Sequence, residues 1–280
     1  MRRICTALVL TVLAGSALAV EAEYPKGQLP ETVTPTHYGI NLMVLPEDER
    51  FSGAVAIDVE IKAATKVIWL HGQDLTVETS SVTPAKGQKI AVSFEEIPNS
   101  GGVAKLTAKE TIPAGKARIE IKYTAPFNRQ LEGLYRSDEG GDSYAFSQME
   151  PIFARRAIPS FDEPRFKTPF DTTLTVRGNH VAVSNTRTVK EEKLPNGLKK
   201  VSFATTLPLP TYLLAFAVGP LDVVEWKPIR KTELRNVEIP LRGVTARGKG
   251  PQIKYALENT EELLVTLEKY FGIPYPYDKL

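Results

Sequence analysis

The sequence has only one cysteine among its 280 residues, Cys5, and only three histidines. Cys5 falls in the apolar N-terminal stretch, so the rest of the chain offers no thiolate for a disulfide, a metal ion or nucleophilic attack. The net charge is also small, +2, because 35 Lys and Arg residues are balanced by 33 Asp and Glu residues. This balance gives no reason to expect binding to nucleic acid or to an anionic membrane surface.

The common signatures of hydrolase active sites are absent from the sequence. A zinc hydrolase of the His-Glu-x-x-His type places two imidazoles one helical turn apart, with a glutamate that activates the metal-bound water. His37, His71 and His180 are far apart and none begins such a motif, so we interpret them as surface or sheet residues. A Gly-x-Ser-x-Gly nucleophile turn and a phosphate-binding glycine loop are also missing. We therefore expect no catalytic residue and no metal ligand in this chain.

Residues 1–22, MRRICTALVLTVLAGSALAVEA, have the three parts of a secretory signal peptide. A positive start, MRR, precedes an apolar run and then the small-residue pattern Ala-Leu-Ala that ends at Ala19. The apolar run at residues 4–14 is shorter than the ~20 residues that a membrane-spanning helix needs. The sequence therefore predicts export to a periplasm or to the outside of the cell, with no membrane anchor after cleavage.

From residue 23 to about residue 220, the chain shows the two-residue periodicity of half-buried β-strands. Apolar residues alternate with polar ones around residues 40–44, 55–61 and 119–123, and turn sequences rich in Gly, Pro and Asn separate the strands. Such short turns favour antiparallel hairpins over the helical crossovers of a parallel sheet. We expect one large, mainly β domain of packed antiparallel sheets, a β-sandwich, at residues 23–220.

The periodicity changes to three and four residues in PQIKYALENTEELLVTLEKYFGIP, residues 251–274. Pro251 suits the first turn of a helix, Gly272 suits its C-terminal cap, and Pro274 prevents continuation. The apolar stripe of this helix needs a partner surface. Either the helix folds back on the β-domain, or it belongs to a second domain whose remainder is missing. We favour the second alternative, because strand-like segments precede the helix, and we interpret residues 221–280 as the truncated start of another domain.

Residues 147–176, SQMEPIFARRAIPSFDEPRFKTPFDTTLTV, combine eight charged residues with four prolines. By composition alone, this is a stiff, solvated loop whose charges pair with one another in water. However, connections longer than ~12–15 residues without secondary structure are uncommon in compact domains. Apolar residues are threaded among the charges, which indicates that the segment is packed and that its charges are partly desolvated and need partners.

The same stretch closely resembles the signature of the membrane-alanyl-aminopeptidase family of zinc exopeptidases, T-Q-x-E-x-x-x-A-R-R-x-x-P-C-x-D-E-P-x-x-K-x-x-F. EGLYRS, VAVSN, TYLLAFAVG and YFGIPYPYDKL are similar to further family segments in the family's order, so the resemblance extends from about residue 35 to Leu280. It implies a saddle-shaped β-domain followed by the truncated start of a thermolysin-like catalytic domain. The family's zinc helix would lie beyond Leu280, so zinc is implied only for the full-length enzyme.

The resemblance also implies a role for two residues, Gln148 and Glu150, which match the family's Gln-x-Glu element. In the family this element reaches from the β-domain into the catalytic cleft. A carboxylate in a water-poor pocket recognises the ammonium group of a free peptide N-terminus. Glu150 would thus fix the first residue of the substrate, and Gln148 would line the pocket for its side chain. Other matched positions are expected to form ion pairs that anchor the loop: Arg155, Arg156, Asp162 and Glu163.

The sequence therefore predicts the N-terminal, substrate-anchoring portion of a secreted zinc aminopeptidase, inactive by itself. Its partners would be peptides with a free N-terminus and the missing remainder of the catalytic domain. The alternative is a stand-alone, non-catalytic β-domain that acts as a binding or scaffold module. A third hypothesis is a peptidase with a second hydrolytic activity, as in the leukotriene-hydrolase branch, where glutamine tends to occupy the position of Glu150. The glutamate at this position favours plain aminopeptidase use.

Overall fold

A computed structural model describes residues 24–280 of the chain. The predicted signal peptide at residues 1–22, with Cys5, lies outside the described residues. In chain order the strands are β1 (Val33–Met43), β2 (Arg50–Ile61), β3 (Thr65–His71), β4 (Thr76–Pro84), β5 (Ile90–Glu96), β6 (Val103–Ile112), β7 (Gly115–Pro126), β8 (Gly133–Glu139), β9 (Asp142–Gln148), β10 (Phe170–Arg177), β11 (Val181–Ser184), β12 (Thr188–Lys193), β13 (Leu198–Phe203), β14 (Phe216–Gly219), β15 (Leu221–Ile229) and β16 (Ile239–Ala246). One α-helix, α1 (Lys254–Phe271), follows them. The predicted mainly β fold is confirmed.

The strands form three sheets. Ten of them make one large sheet in the order β12-β13-β10-β1-β2-β7-β4-β5-β6-β3, and a four-stranded sheet has the order β11-β14-β9-β8. The third sheet is the pair β15-β16. Among the described strands, the pairing is antiparallel except between β1 and β10, which run parallel with Tyr38 opposite Phe170. Consecutive strands form antiparallel pairs, as the short turns predicted, at β1-β2, β4-β5, β5-β6, β8-β9, β12-β13 and β15-β16. The other pairs, including the parallel pair of β1 and β10, join strands that are separated in sequence.

The main hydrophobic core lies between the large sheet and the four-stranded sheet. Alternate residues of β2 and β7 are buried, as the two-residue periodicity requires, and they pack with buried residues of β9 and β14 in one apolar cluster. The rings of Tyr38 and Phe170 stack within this core, with their centroids 4.8 Å apart. The predicted β-sandwich is therefore present, and its core supports the ends of β9 and β10.

The segment after residue 220 has a small apolar cluster of its own. Ile239 and Leu241 of β16 pack with Leu257 and Val265 of α1. The helix begins three residues after Pro251, because this proline lies in a preceding 3-10 turn, Gly250–Ile253. It ends as the sequence predicted, at Gly272, which has φ 67° and caps the helix. The domain boundary at residues 220 and 221 stays a prediction. Within residues 24–280, no helix is both long enough and apolar enough to cross a membrane.

Candidate functional site

The charged, proline-rich segment connects the end of β9 to the start of β10 and contains one 3-10 turn, Ala154–Arg156. Four of its apolar residues, Met149, Ala157, Ile158 and Phe161, are buried in the main core, whereas Ile152 is 45% exposed. The backbone of the segment is therefore fixed by packing, although it has little regular structure. This confirms that the segment is packed and is not a freely solvated loop.

A buried ion pair stabilises this segment from within. Arg155 Nε donates a hydrogen bond to Asp162 Oδ2 at 2.9 Å, and the two side chains are only 8% and 2% exposed. Arg155 Nη2 also donates to the carbonyl oxygen of Asp162, and the Thr211 hydroxyl donates to Asp162 Oδ1 at 2.5 Å. Both buried charges are thus paired and hydrogen-bonded, which is the condition under which such a pair is tolerated.

His71, the last residue of β3, closes the same network from the other side. Its backbone exchanges two hydrogen bonds with Ser160, and its Nδ1 accepts the Asp162 N–H at 3.2 Å. Burial, together with the nearby charge of Arg155, lowers the pKa of His71 to about 3, so the imidazole is neutral and able to accept. His71 is thus a sheet histidine, as expected, but nothing in the sequence indicated its contact with Ser160 and Asp162.

The remaining charges of the segment pair at its edges. Glu163 accepts hydrogen bonds from the backbone N–H of Leu29 and from Arg165 Nε, each at 2.5 Å. Arg156 Nη1 lies 3.6 Å from a Glu132 carboxylate oxygen and 3.8 Å from one of Asp74. The predicted ion-pairing role is therefore confirmed for the four matched positions: Arg155, Arg156, Asp162 and Glu163.

Gln148 and Glu150 lie together at the start of the segment. Gln148 is the last residue of β9, opposite Gly133 of β8, and Glu150 follows two residues later. Both side chains are exposed, whereas Met149 between them is buried in the core. The Glu150 N–H donates to Gln148 Oε1 at 3.2 Å, which holds the two residues against each other. The structure therefore presents two polar side chains side by side on a backbone that the core immobilises.

The carboxylate of Glu150 makes no hydrogen bond and no ion pair within the described part of the chain, in contrast to the carboxylates that follow it. An exposed, unpaired carboxylate can accept a cationic group. A cavity of about 410 Å³ adjoins the segment, but its walls include Ile152, Arg155 and Asp162 and neither Gln148 nor Glu150. Within residues 24–280, the Glu150 carboxylate is therefore exposed at the surface and lies outside this cavity.

A metal ion has no candidate ligand set in the part of the chain that the structure describes. Across residues 24–280, no three His, Cys, Asp or Glu side chains lie close enough together to hold one. The described residues therefore do not fit a zinc ion.

The segment after residue 220 contains a second buried ion pair, which the sequence analysis did not predict. Arg235 Nε donates to Glu268 Oε1 at 2.8 Å, and Glu268 also accepts from the Thr232 hydroxyl and the Tyr275 N–H. Burial raises the pKa of Glu268, but the hydrogen bonds from Arg235, Tyr275 and Thr232 outweigh it and leave that pKa below its usual value. The sequence did contain one signal for the burial of Glu268, because this residue falls on the same face of the helix as the buried Leu257.

Comparisons with known proteins identify the family of the chain and several relatives. A family model described as the peptidase M1 N-terminal domain matches residues 34–213. A puromycin-sensitive aminopeptidase of Caenorhabditis elegans is 31% identical over 261 residues, which cover 90% of this chain and 26% of that protein. Aminopeptidase M1-A of Oryza sativa subsp. japonica is 32% identical over 274 residues, covering 95% of this chain and 30% of that protein.

A bacterial relative, aminopeptidase N of Acetobacter pasteurianus, is 29% identical over 293 residues, which cover 100% of this chain and 78% of that protein. The chain thus spans less than a third of the length of the Caenorhabditis and Oryza relatives.

Proposed function

This chain belongs to the M1 peptidase family, and from this premise we propose that it is the N-terminal, substrate-anchoring portion of a secreted zinc aminopeptidase. The observation that carries the proposal is the exposed, unpaired carboxylate of Glu150 beside Gln148, at the end of a strand fixed by the core. The names of the relatives support the reaction class, since each is an aminopeptidase.

Glu150 would recognise the charged N-terminus of a peptide. A free α-amino group has a pKa near 8, so most of it carries an ammonium charge at neutral pH. Glu150 has an open carboxylate to pair with this charge, and the buried Met149 beside it restricts how far the backbone can move. With the ammonium held in place, the first peptide bond of the substrate lies at a fixed distance from the anchor. The enzyme would consequently remove single N-terminal residues.

Gln148 would contact the first side chain of the substrate. Its amide can both donate and accept hydrogen bonds, and its Oε1 already accepts the Glu150 N–H. The side chain is therefore oriented before a substrate arrives, with its amide nitrogen free to line the pocket.

Hydrolysis itself is assigned to the remainder of the catalytic domain, together with the zinc ligands, because residues 24–280 do not fit a zinc ion. The same remainder would cover the open side of Glu150 and exclude water, which strengthens an ion pair. We expect the 280-residue chain to be inactive by itself. Export is proposed from the signal-like residues 1–22.

Comparing the 280-residue chain with the product of the complete reading frame tests the proposal. Both are supplied with zinc and an alanyl anilide reporter, and the acetyl-alanyl anilide serves as the matched substrate without an ammonium group. The longer product should cleave only the free-amine reporter and lose this activity with a chelator, whereas the 280-residue chain should cleave neither. Cleavage by the 280-residue chain would contradict its inactivity, and a reading frame that ends at Leu280 would favour the stand-alone binding module.

A further inference from the structure

The cavity of about 410 Å³ beside the charged, proline-rich segment is separate from Gln148 and Glu150, since neither residue lines it. Its walls come from this segment, from the end of β3, from the β5-β6 hairpin and from residues 24–27. The volume is within the ~300–1,000 Å³ of pockets that hold small molecules. Two of the residues that line it, Lys26 and Ile152, are exposed, so the cavity is accessible from solvent.

His71 presents an unused hydrogen-bond donor to this cavity. Its ring is neutral and its Nδ1 accepts the Asp162 N–H, so the proton of the ring lies on Nε2. Within residues 24–280, no group accepts a hydrogen bond from Nε2–H, although His71 is only 3% exposed. Protein atoms do not enclose Nε2 completely, and His71 lines the cavity, so this N–H faces the cavity. A buried donor without a partner is costly, which favours a ligand that accepts its hydrogen bond.

Arg155 and Lys26 add positively charged donors to the same walls. Arg155 Nε and Nη2 donate to Asp162, and Nη1 donates to the carbonyl oxygen of Gly101. A guanidinium group has five N–H donors, so two of those of Arg155 have no partner in the described part of the chain. Lys26 is exposed, and its ammonium group pairs with no carboxylate between residues 24 and 280.

The carboxylates of Asp162 and Glu163 also line the cavity, but the protein already satisfies them. Both oxygens of each carboxylate accept hydrogen bonds from other residues of the chain. Each carboxylate also forms an ion pair with an arginine, Arg155 or Arg165. Their charges are therefore balanced, and the charge of Lys26 is left over. A ligand in the cavity thus meets free hydrogen-bond donors and a net positive charge, which is the chemistry that binds an oxyanion.

We therefore propose that this cavity binds a small oxyanion, a phosphate or a carboxylate group, through His71 Nε2–H, the two free N–H groups of Arg155 and the Lys26 ammonium. An oxyanion accepts several hydrogen bonds at once, and those from charged donors are the stronger ones. The bound ligand connects residues 24–27 with β3 and the charged segment, so it stabilises the folded chain. This inference does not depend on the proposed function, because it uses neither Gln148 nor Glu150.

NMR of the imidazole nitrogens tests the site directly, because the chain has only three histidines. The 280-residue chain is titrated at neutral pH with inorganic phosphate and, separately, with acetate, each against sodium chloride of the same ionic strength. The Nε2 signal of His71, assigned by its loss in His71→Asn, should shift in a saturable way, whereas the signals of His37 and His180 should not. A response to phosphate assigns the site to a phosphate group, and a response to acetate assigns it to a carboxylate.

Lys26→Gln gives a variant that leaves the core untouched, because Lys26 is exposed. Loss of this charge should weaken binding of the oxyanion about fivefold, as measured by calorimetry. Lys86→Gln is the matched control, since Lys86 is another exposed lysine and lies in the β4-β5 turn, outside the cavity. This variant should bind as tightly as the unchanged chain. Equal affinities of the two variants would overturn the site, and so would a His71 signal that responds to neither oxyanion or that responds equally to chloride.

Discussion

The hydroxyl of Tyr123 donates a hydrogen bond of 2.7 Å to the carbonyl oxygen of Ala157. Tyr123 lies in β7, in the large sheet, and Ala157 follows the 3-10 turn of the segment that begins at Gln148 and Glu150. Both residues are buried. The segment that carries the candidate site is therefore held by the large sheet as well as by its own charges.

Gly53 of β2 makes room for the Tyr123 ring, so Gly53→Ala should weaken this link. A Cβ atom at residue 53 would lie 2.5 Å from the ring, which forces Tyr123 to move. We expect overpacking to lower the free energy of unfolding by about 1–3 kcal/mol. This loss is larger than the ~0.4–1 kcal/mol by which alanine in place of glycine stabilises a protein, through the lower conformational entropy of the unfolded chain. Urea denaturation measures the difference. Gly87→Ala is the control, since its Cβ would meet only Pro84 at an ordinary 3.5 Å; equal stabilities of the two variants would contradict the prediction.

Asp162→Asn should destabilise the chain strongly, because it leaves the buried charge of Arg155 without its counter-charge. Loss of one partner of a buried pair costs about 3–5 kcal/mol. The matched variant is Asp58→Asn, whose pair with Arg118 has the same 2.9 Å length but is exposed. That variant should lose less than about 1 kcal/mol. Denaturant titrations of the two variants, each against the unchanged chain, give the comparison, and similar losses would count against the buried network.

His71 should make folding stability depend on pH. Its pKa is about 3 in the folded chain, against 6.5 for an unperturbed histidine, so between these values the unfolded chain binds one proton more. His71 therefore makes its full contribution to the free energy of unfolding above pH 6.5, and this contribution is lost as the pH falls toward 3. His71→Asn keeps an acceptor for the Asp162 N–H but cannot titrate. From pH 7 to pH 5 the unchanged chain should lose about 2 kcal/mol more than the variant, as measured by urea midpoints; parallel pH profiles would rule this out.

Glu150→Gln should impair the complete enzyme without unfolding it, because the Glu150 side chain is exposed. A charge-assisted contact to the substrate ammonium is worth about 1.5–3 kcal/mol, so kcat/KM for free-amine peptides should fall by about 10- to 100-fold. Glu110→Gln is the control, since Glu110 is exposed at a distant position in β6. Steady-state kinetics on an alanyl peptide make the comparison. An unchanged kcat/KM in Glu150→Gln would exclude Glu150 from the substrate site.

Much of the fold could be predicted from local pattern. The two-residue alternation indicated the strands of the large sheet, and the three- and four-residue spacing with Gly272 fixed the end of α1. Pattern could not reveal that β1 pairs with β10, because no local rule governs strands so far apart in sequence. The helix α1 begins later than the sequence predicted, at Lys254, because Pro251 suits a 3-10 turn as well as the first turn of an α-helix.

The candidate site was less accessible to reasoning from residues alone. The mixture of apolar and charged residues after Gln148 indicated packing, and the structure confirms it. The role of Gln148 and Glu150 came only from the family resemblance, and it remains a prediction, although the family itself is confirmed. The contact between His71 and Asp162 depends on tertiary packing between β3 and the segment, which no spacing in the sequence encodes.

The parallel pairing of β1 with β10 has a consequence for how the chain folds. β1 lies between β2, which follows it at once, and β10, whose residues come after seven further strands. Contacts between residues so distant in sequence raise the contact order, and a high contact order slows folding. During synthesis, one edge of β1 stays unpaired until residues 170–175 have been made, so the pairing of β1 inside the large sheet is completed only after β2 to β9 have been synthesised.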